Sequence, residues 1–212
     1  MPKVGLTLRE EIARRLRADV VDGSLRPGAI IRDQELALRY ATSTSPVREA
    51  IMQLTAERLI ETPSHRVKRV APLDRQTSKD LFEVIRVLSL HCYEVGIPRL
   101  DAAALRALRS NATAQRAALT ANDHKRLARL LWDFHTPVYE AAGNREMSRV
   151  IADSFPWMHR LSTLMPLGAE TKVERERTLL AAFERRDADK AMKIFRLWAD
   201  EFDVNLDRLP NF

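Results

Sequence analysis

The chain has 212 residues, 45% of them hydrophobic and 30% charged, a balance that builds a buried core and excludes wholesale disorder. No apolar run approaches the ~18 residues of a membrane span, and a single cysteine, Cys92, excludes an intrachain disulfide. The formal net charge is +6; residues 1–72 hold 13 lysines and arginines against 9 aspartates and glutamates, and the remainder holds 22 against 20. The positive charge is therefore densest in the N-terminal third, where a polyanion is the expected partner. The opening Met1-Pro2-Lys3-Val4 carries no apolar signal segment, so a cytoplasmic location without membrane contact is expected.

Leu8, Ile12, Leu16 and Val20 recur every four residues and predict a first helix, ended by Gly23 and Pro27-Gly28. A shorter helix is expected at about residues 33–40, with Leu36, Leu38 and Tyr40 inward and Gln34 outward. Ala41-Thr42 turns the chain into a third helix, about residues 43–57, whose Val47, Ile51 and Leu54, with Ile60 beyond it, look inward. Its first turn, Ser43-Thr44-Ser45-Pro46, presents small hydroxyl side chains that let a helix approach the floor of a DNA major groove. Arg48, one turn on, reaches a guanine edge or a phosphate. Residues 59–61 and 67–70 then pair as strands across Pro63-Ser64-His65-Arg66. His65, Arg66 and Lys68 form the tip, suited to a phosphate backbone or minor groove. Helix, turn, helix and wing make a winged helix-turn-helix DNA-binding domain of residues 1–72.

Residues 73–212 carry almost no strand signal. About six helices are expected, at 75–97, 101–119, 122–142, 144–165, 169–186 and 187–207. Their boundaries fall at Pro98, Asp101, Asn122, Gly143-Asn144, Pro166 with Gly168, and Asp187. Ala191, Phe195, Trp198, Phe202 and Leu206 form one apolar stripe of the last. An all-α bundle is expected, making the protein mainly α. There is no glycine-rich phosphate loop, Cys92 lies in an apolar helix, and the histidines are scattered, so no enzyme is expected.

Several blocks carry a family pattern. They are Gly23-Ser24-Leu25-Arg26-Pro27-Gly28, Glu35-Leu36-Ala37, Ser45-Pro46-Val47-Arg48-Glu49-Ala50, Leu59-Ile60-Glu61 and Val70-Ala71-Pro72-Leu73. Phe134-His135 and Glu140-Ala141-Ala142-Gly143-Asn144 follow. In type and spacing, over nearly the whole chain, these blocks resemble a GntR-family transcription regulator of the FadR subfamily with an FCD-type C-terminal domain. The resemblance implies a homodimer whose recognition helices enter successive major grooves of a short inverted repeat in a double-stranded DNA operator. It further implies a helical domain that dimerises and holds a small-molecule effector, usually a carboxylate-bearing metabolite. The family DNA contacts fall on Gln34, Ser43, Thr44, Ser45 and Arg48, with His65 and Arg66 on the wing. Thr44 stands where the family commonly has arginine, so bidentate guanine readout from that position is lost. Val67 replaces a wing glycine.

Many FCD domains hold a divalent metal on an aspartate and three histidines. In this chain those positions become Leu131, His135, Glu176 and Trp198. Leucine and tryptophan are not ligands, and Asp133 lies about 200° around the helix from Leu131. No metal and no other cofactor are therefore expected; a residual site would have to recruit His91 or His159. The resemblance places effector contacts at His135, Glu176, Trp198 and Arg86, the last falling one residue late, with Ile85 in the expected register. Pro137 predicts a kink beside His135. Two other functions stay open: an effector-independent DNA-binding protein, and a helical metal-dependent enzyme.

Overall fold

A computed structural model of the chain describes residues 7–64, 67–162 and 168–209. Packing divides it into two compact units. One runs to Asp74 and takes in His159–Leu161; the other is formed by Arg75–Met158 and the described residues from Ser162 on.

In the first unit, α1 (Leu8–Val21) is opened by a reciprocal cap: the Thr7 side chain accepts from the Glu10 N–H, and the Glu10 carboxylate accepts from the Thr7 N–H. α2 (Asp33–Arg39) and α3 (Thr44–Ala56) follow, joined through Ala41 in the left-handed region at φ 51°. Ile12, Ala13, Leu16 and Val20 pack with Leu36, Val47, Ile51 and Leu54 into one core. Two residues expected inward are not. Leu38 is 83% exposed, because it lies two positions from Leu36, about 200° around a helix, and Leu36 takes the core position. Leu8 opens α1 ahead of its buried stripe and is 60% exposed.

Strands β2 (Ile60–Ser64) and β3 (Val67–Val70) pair antiparallel, with Ile60 opposite Val70 and Glu61 opposite Arg69, and an irregularity before the Ser64–Val67 pair. A third strand, β1 (Ile30–Ile31), adds to the far edge of β3, giving the order β1-β3-β2. Two residues carry no periodicity, so this strand had no sequence signal. His65 and Arg66, at the expected wing tip, lie outside the described residues.

From Arg75 on the described residues are helical: α4 (Arg75–Gly96), a 3-10 turn (Ile97–Arg99), α5 (Ala102–Thr120), α6 (His124–Asp133), α7 (Thr136–Ala141), α8 (Arg145–Asp153), α9 (Phe155–Ser162), α10 (Ala169–Glu184) and α11 (Ala188–Arg208). Asp101, Asp123, Asn144 and Asp187 cap α5, α6, α8 and α11 by accepting backbone N–H bonds. Two segments expected as single helices are interrupted. The break between α6 and α7 falls at Phe134–His135, with Pro137 in the first turn of α7. The break between α8 and α9 falls at Ser154, ahead of Pro156. In each case the missing proline N–H interrupts the backbone ladder. α4 and α7 approach so closely that a Cβ on Gly96 would stand 2.3 Å from the Val138 carbonyl oxygen. No helix among the described residues is long and apolar enough to cross a membrane.

Candidate functional site

Two sites are built from the residues singled out above. On the first unit, Ser43 occupies the N-cap of α3 in an extended conformation, yet its side chain makes no capping hydrogen bond. The first N–H groups of a helix carry partial positive charge and suit a phosphate. Ser43, Ser45 and Arg48 are exposed and Thr44 half-exposed, while Val47, Ala50, Ile51 and Leu54 on the opposite face are buried. Gln34 is exposed one helix earlier. Arg48 donates from Nε to Asp33 Oδ2 at 2.9 Å, and Lys68 on β3 donates from Nζ to Asp33 Oδ1 at 2.6 Å. The start of α2, the first turns of α3 and the wing thus meet at one carboxylate. Burial raises the Asp33 pKa, but the Lys68 and Arg48 bonds outweigh it and hold the carboxyl below its ordinary value. Arg69 is tied instead to Glu61, its cross-strand partner, at 2.6 Å.

In the second unit, the α6–α7 break aims His135 at α4 and α10. Its Nδ1 lies 2.6 Å from the Tyr93 hydroxyl. Burial pushes the Tyr93 pKa well up, so the phenol stays protonated and shares a hydrogen bond with Nδ1, while Nε2 faces Glu176. Glu176 is fully buried. Its Oε1 accepts from Arg175 Nη2 at 2.7 Å; its Oε2 lies 3.5 Å from His135 Nε2, an ion-pair distance without hydrogen-bond geometry. Burial raises the Glu176 pKa, yet His135 and Arg175 together outweigh it, so the group is held below its ordinary value and stays a carboxylate. Arg175 also stacks over Trp198, 4.8 Å from the ring centroid. Trp198 itself packs against Phe82, Phe195 and Phe202. The structure thus brings His135, Glu176 and Trp198 together through Arg175. Arg86 is turned to α11, where it pairs with Asp200 at 2.8 Å and Asp203 at 3.4 Å.

Comparison with known proteins finds two family models that match the chain. Residues 8–67 match the model of bacterial regulatory proteins of the gntR family, and residues 80–198 match the FCD domain. The chain belongs to the GntR family and carries an FCD domain. Across 86% of its length it is 28% identical to the HTH-type transcriptional repressor GlaR of Escherichia coli, covering 88% of that protein. Over 39% of its length it is 34% identical to a probable D-xylose utilization operon transcriptional repressor of Paenarthrobacter nicotinovorans, covering 35% of that protein. Its fold resembles a putative GntR regulator from Rhodococcus sp. RHA1, with TM-score 0.80 and 15% identity over 93% of this chain and 96% of that one. It also resembles E. coli McbR/YncC, with TM-score 0.76 and 18% identity over 96% and 99%. The family is one of transcription regulators, which removes the metal-dependent enzyme from consideration.

The divalent metal implied by the FCD resemblance does not fit the residues of this regulator. Leu131 packs in an apolar cluster with Leu127 and Val173, and Trp198 offers an indole where a donor would be needed. His135 already engages Tyr93 through one ring nitrogen and faces Glu176 through the other, while Asp133 pairs with Arg129 at 2.9 Å. His91 lies exposed on α4 beside Glu94. No group of three or more His, Cys, Asp or Glu side chains gathers among the described residues. Three residues of these sites escaped sequence reasoning. Asp33 falls at the start of the second expected helix, and neither Tyr93 nor Arg175 is singled out by the sequence. None has a spacing that signals its partner.

Proposed function

We propose that the chain is a homodimeric repressor, cytoplasmic, that binds a short inverted repeat in double-stranded DNA and answers to a small-molecule effector in its helical domain. Residues 1–72 form the DNA-binding domain, and residues 73–212 form the effector-binding and dimerisation domain. Ser43, Thr44, Ser45 and Arg48 meet the major groove, Gln34 and Lys68 flank them, and His65 and Arg66 extend the wing contact. The observation that carries this reading is the free, hydroxyl-rich N-terminus of α3, with Ser43 uncommitted to capping and Arg48 65% exposed beside it. Arg48→Ala should cost about 1–3 kcal/mol at the cognate site and relax one base position. Lys68→Ala should weaken cognate and random DNA alike and lower the salt slope by about one. Fluorescence anisotropy on both duplexes over a salt series measures each effect. Unchanged operator binding by a folded Arg48→Ala protein would remove α3 from the interface.

The effector reading centres on His135, Glu176 and Trp198, joined by Arg175, and is metal-free. Arg86 is assigned to the seam between α4 and α11, where its two carboxylate partners lie.

A further inference from the structure

We propose that Asp33 is a positioning residue that sets the ratio of specific to non-specific DNA binding, by holding Arg48 of the recognition helix and Lys68 of the wing on one carboxylate. The inference rests on the DNA-binding reading above and goes beyond it, because Asp33 itself need touch no DNA.

The local architecture places the carboxylate deliberately between the two cations. Asp33 is the first residue of α2, where a negative charge is favoured by the helix dipole. The β1–β3 register sets Lys68 opposite Ile31, two residues before Asp33, which brings the ammonium beside it. The Asp33 side chain is only 16% exposed, against 65% for Arg48. The carboxylate is therefore the enclosed member of the pair, and the arginine is the one that reaches into solvent.

Two consequences follow for DNA. First, the bond from Arg48 Nε orients the guanidinium plane before DNA arrives. No hydrogen bond among the described residues uses its two Nη groups, which leaves them for an end-on pair with guanine O6 and N7. Preorganisation of this kind lowers the entropy lost on cognate binding. Second, a carboxylate set into a cationic face offsets the attraction of that face for any phosphate backbone. Removing the charge should thus move cognate and random binding in opposite directions, which a simple loss of packing would not do.

The test uses the full-length protein, the duplex recovered by selection from a random library, and a scrambled duplex of equal length. For Asp33→Asn, which keeps the side-chain volume, scrambled-duplex affinity should rise several-fold, with a salt slope steeper by about one. The selected-to-scrambled ratio should fall roughly tenfold, and base preference should relax at the position Arg48 reads. Asp33→Glu keeps the charge and should retain weak scrambled binding. In an Arg48→Ala background, Asp33→Asn should no longer alter base preference. The inference is overturned if Asp33→Asn and Asp33→Ala leave the ratio and base preference unchanged while Arg48→Ala still weakens selected-site binding. If Arg48→Ala and Lys68→Ala both leave selected-site binding intact, the DNA-face reading fails and takes this inference with it.

Discussion

Glu176→Ala is expected to lower the unfolding free energy of the helical unit by about 3 kcal/mol, the low end of the cost of breaking a buried ion pair from one side. The carboxylate is fully buried and is shared between Arg175 and His135, so its removal leaves one guanidinium uncompensated. Arg175 retains its stacking on Trp198 and keeps 20% of its side chain exposed, which is why the upper end of the range is not expected. Glu176→Gln retains hydrogen-bonding capacity and should cost less. The folded-state pKa of Glu176 is lowered, so its ionisation stabilises the fold above the ordinary carboxylate range. That contribution is lost as pH falls through the folded-state value. The difference between wild type and Glu176→Gln in urea unfolding should therefore be full at neutral pH and shrink in acid. A difference that grew in acid would mean that the carboxyl is buried protonated.

Gly96→Ala is expected to be comparably damaging, by about 3 kcal/mol, the upper part of the overpacking range. The added Cβ would stand 2.3 Å from the Val138 carbonyl oxygen and 3.0 Å from the Ala142 nitrogen. Both obstacles are backbone, so no rotamer change relieves them, and α4 must move away from α7. That shift would also disturb the Tyr93–His135 bond three residues earlier on α4. For a chain of this size the melting temperature should fall by roughly 6–12 °C. Gly168→Ala serves as the comparison: its nearest neighbour among the described residues is Thr171 Oγ1 at 4.0 Å, and losing glycine at the N-cap of α10 should cost only about 1 kcal/mol, a fall of roughly 2–4 °C. Equal melting temperatures for the two variants would show that α4 and α7 are not in close contact.

The helices were legible in the sequence wherever an amphipathic stripe met a capping residue. Asp101, Asn144 and Asp187 marked helix starts that the structure realises as caps. Pro137 announced the break beside His135, because proline removes a backbone donor wherever it stands. What stayed hidden depends on contacts between distant segments. The strand Ile30–Ile31 exists only because β3 offers it an edge. The inward assignment of Leu38 failed because both it and Leu36 were counted on one face of a short helix. In the DNA-facing unit the exposed hydroxyls of α3 were readable, yet the Asp33 bridge joins three elements with no common period. In the helical domain, the loss of metal-binding residue types was readable from the family pattern. The cluster of Tyr93, His135, Glu176 and Arg175 became visible only once α4, α6, α7 and α10 were packed together.

Selection of bound sites from random duplexes with the full-length protein, followed by measurement of chains per duplex, tests the DNA-binding reading most directly. Enrichment of an inverted repeat with half-sites about one helical turn apart is expected, bound by two chains, with Arg48→Ala degrading one base position in each half-site. Failure to enrich any site, or recovery of a single unrepeated half-site bound by one chain, would contradict it.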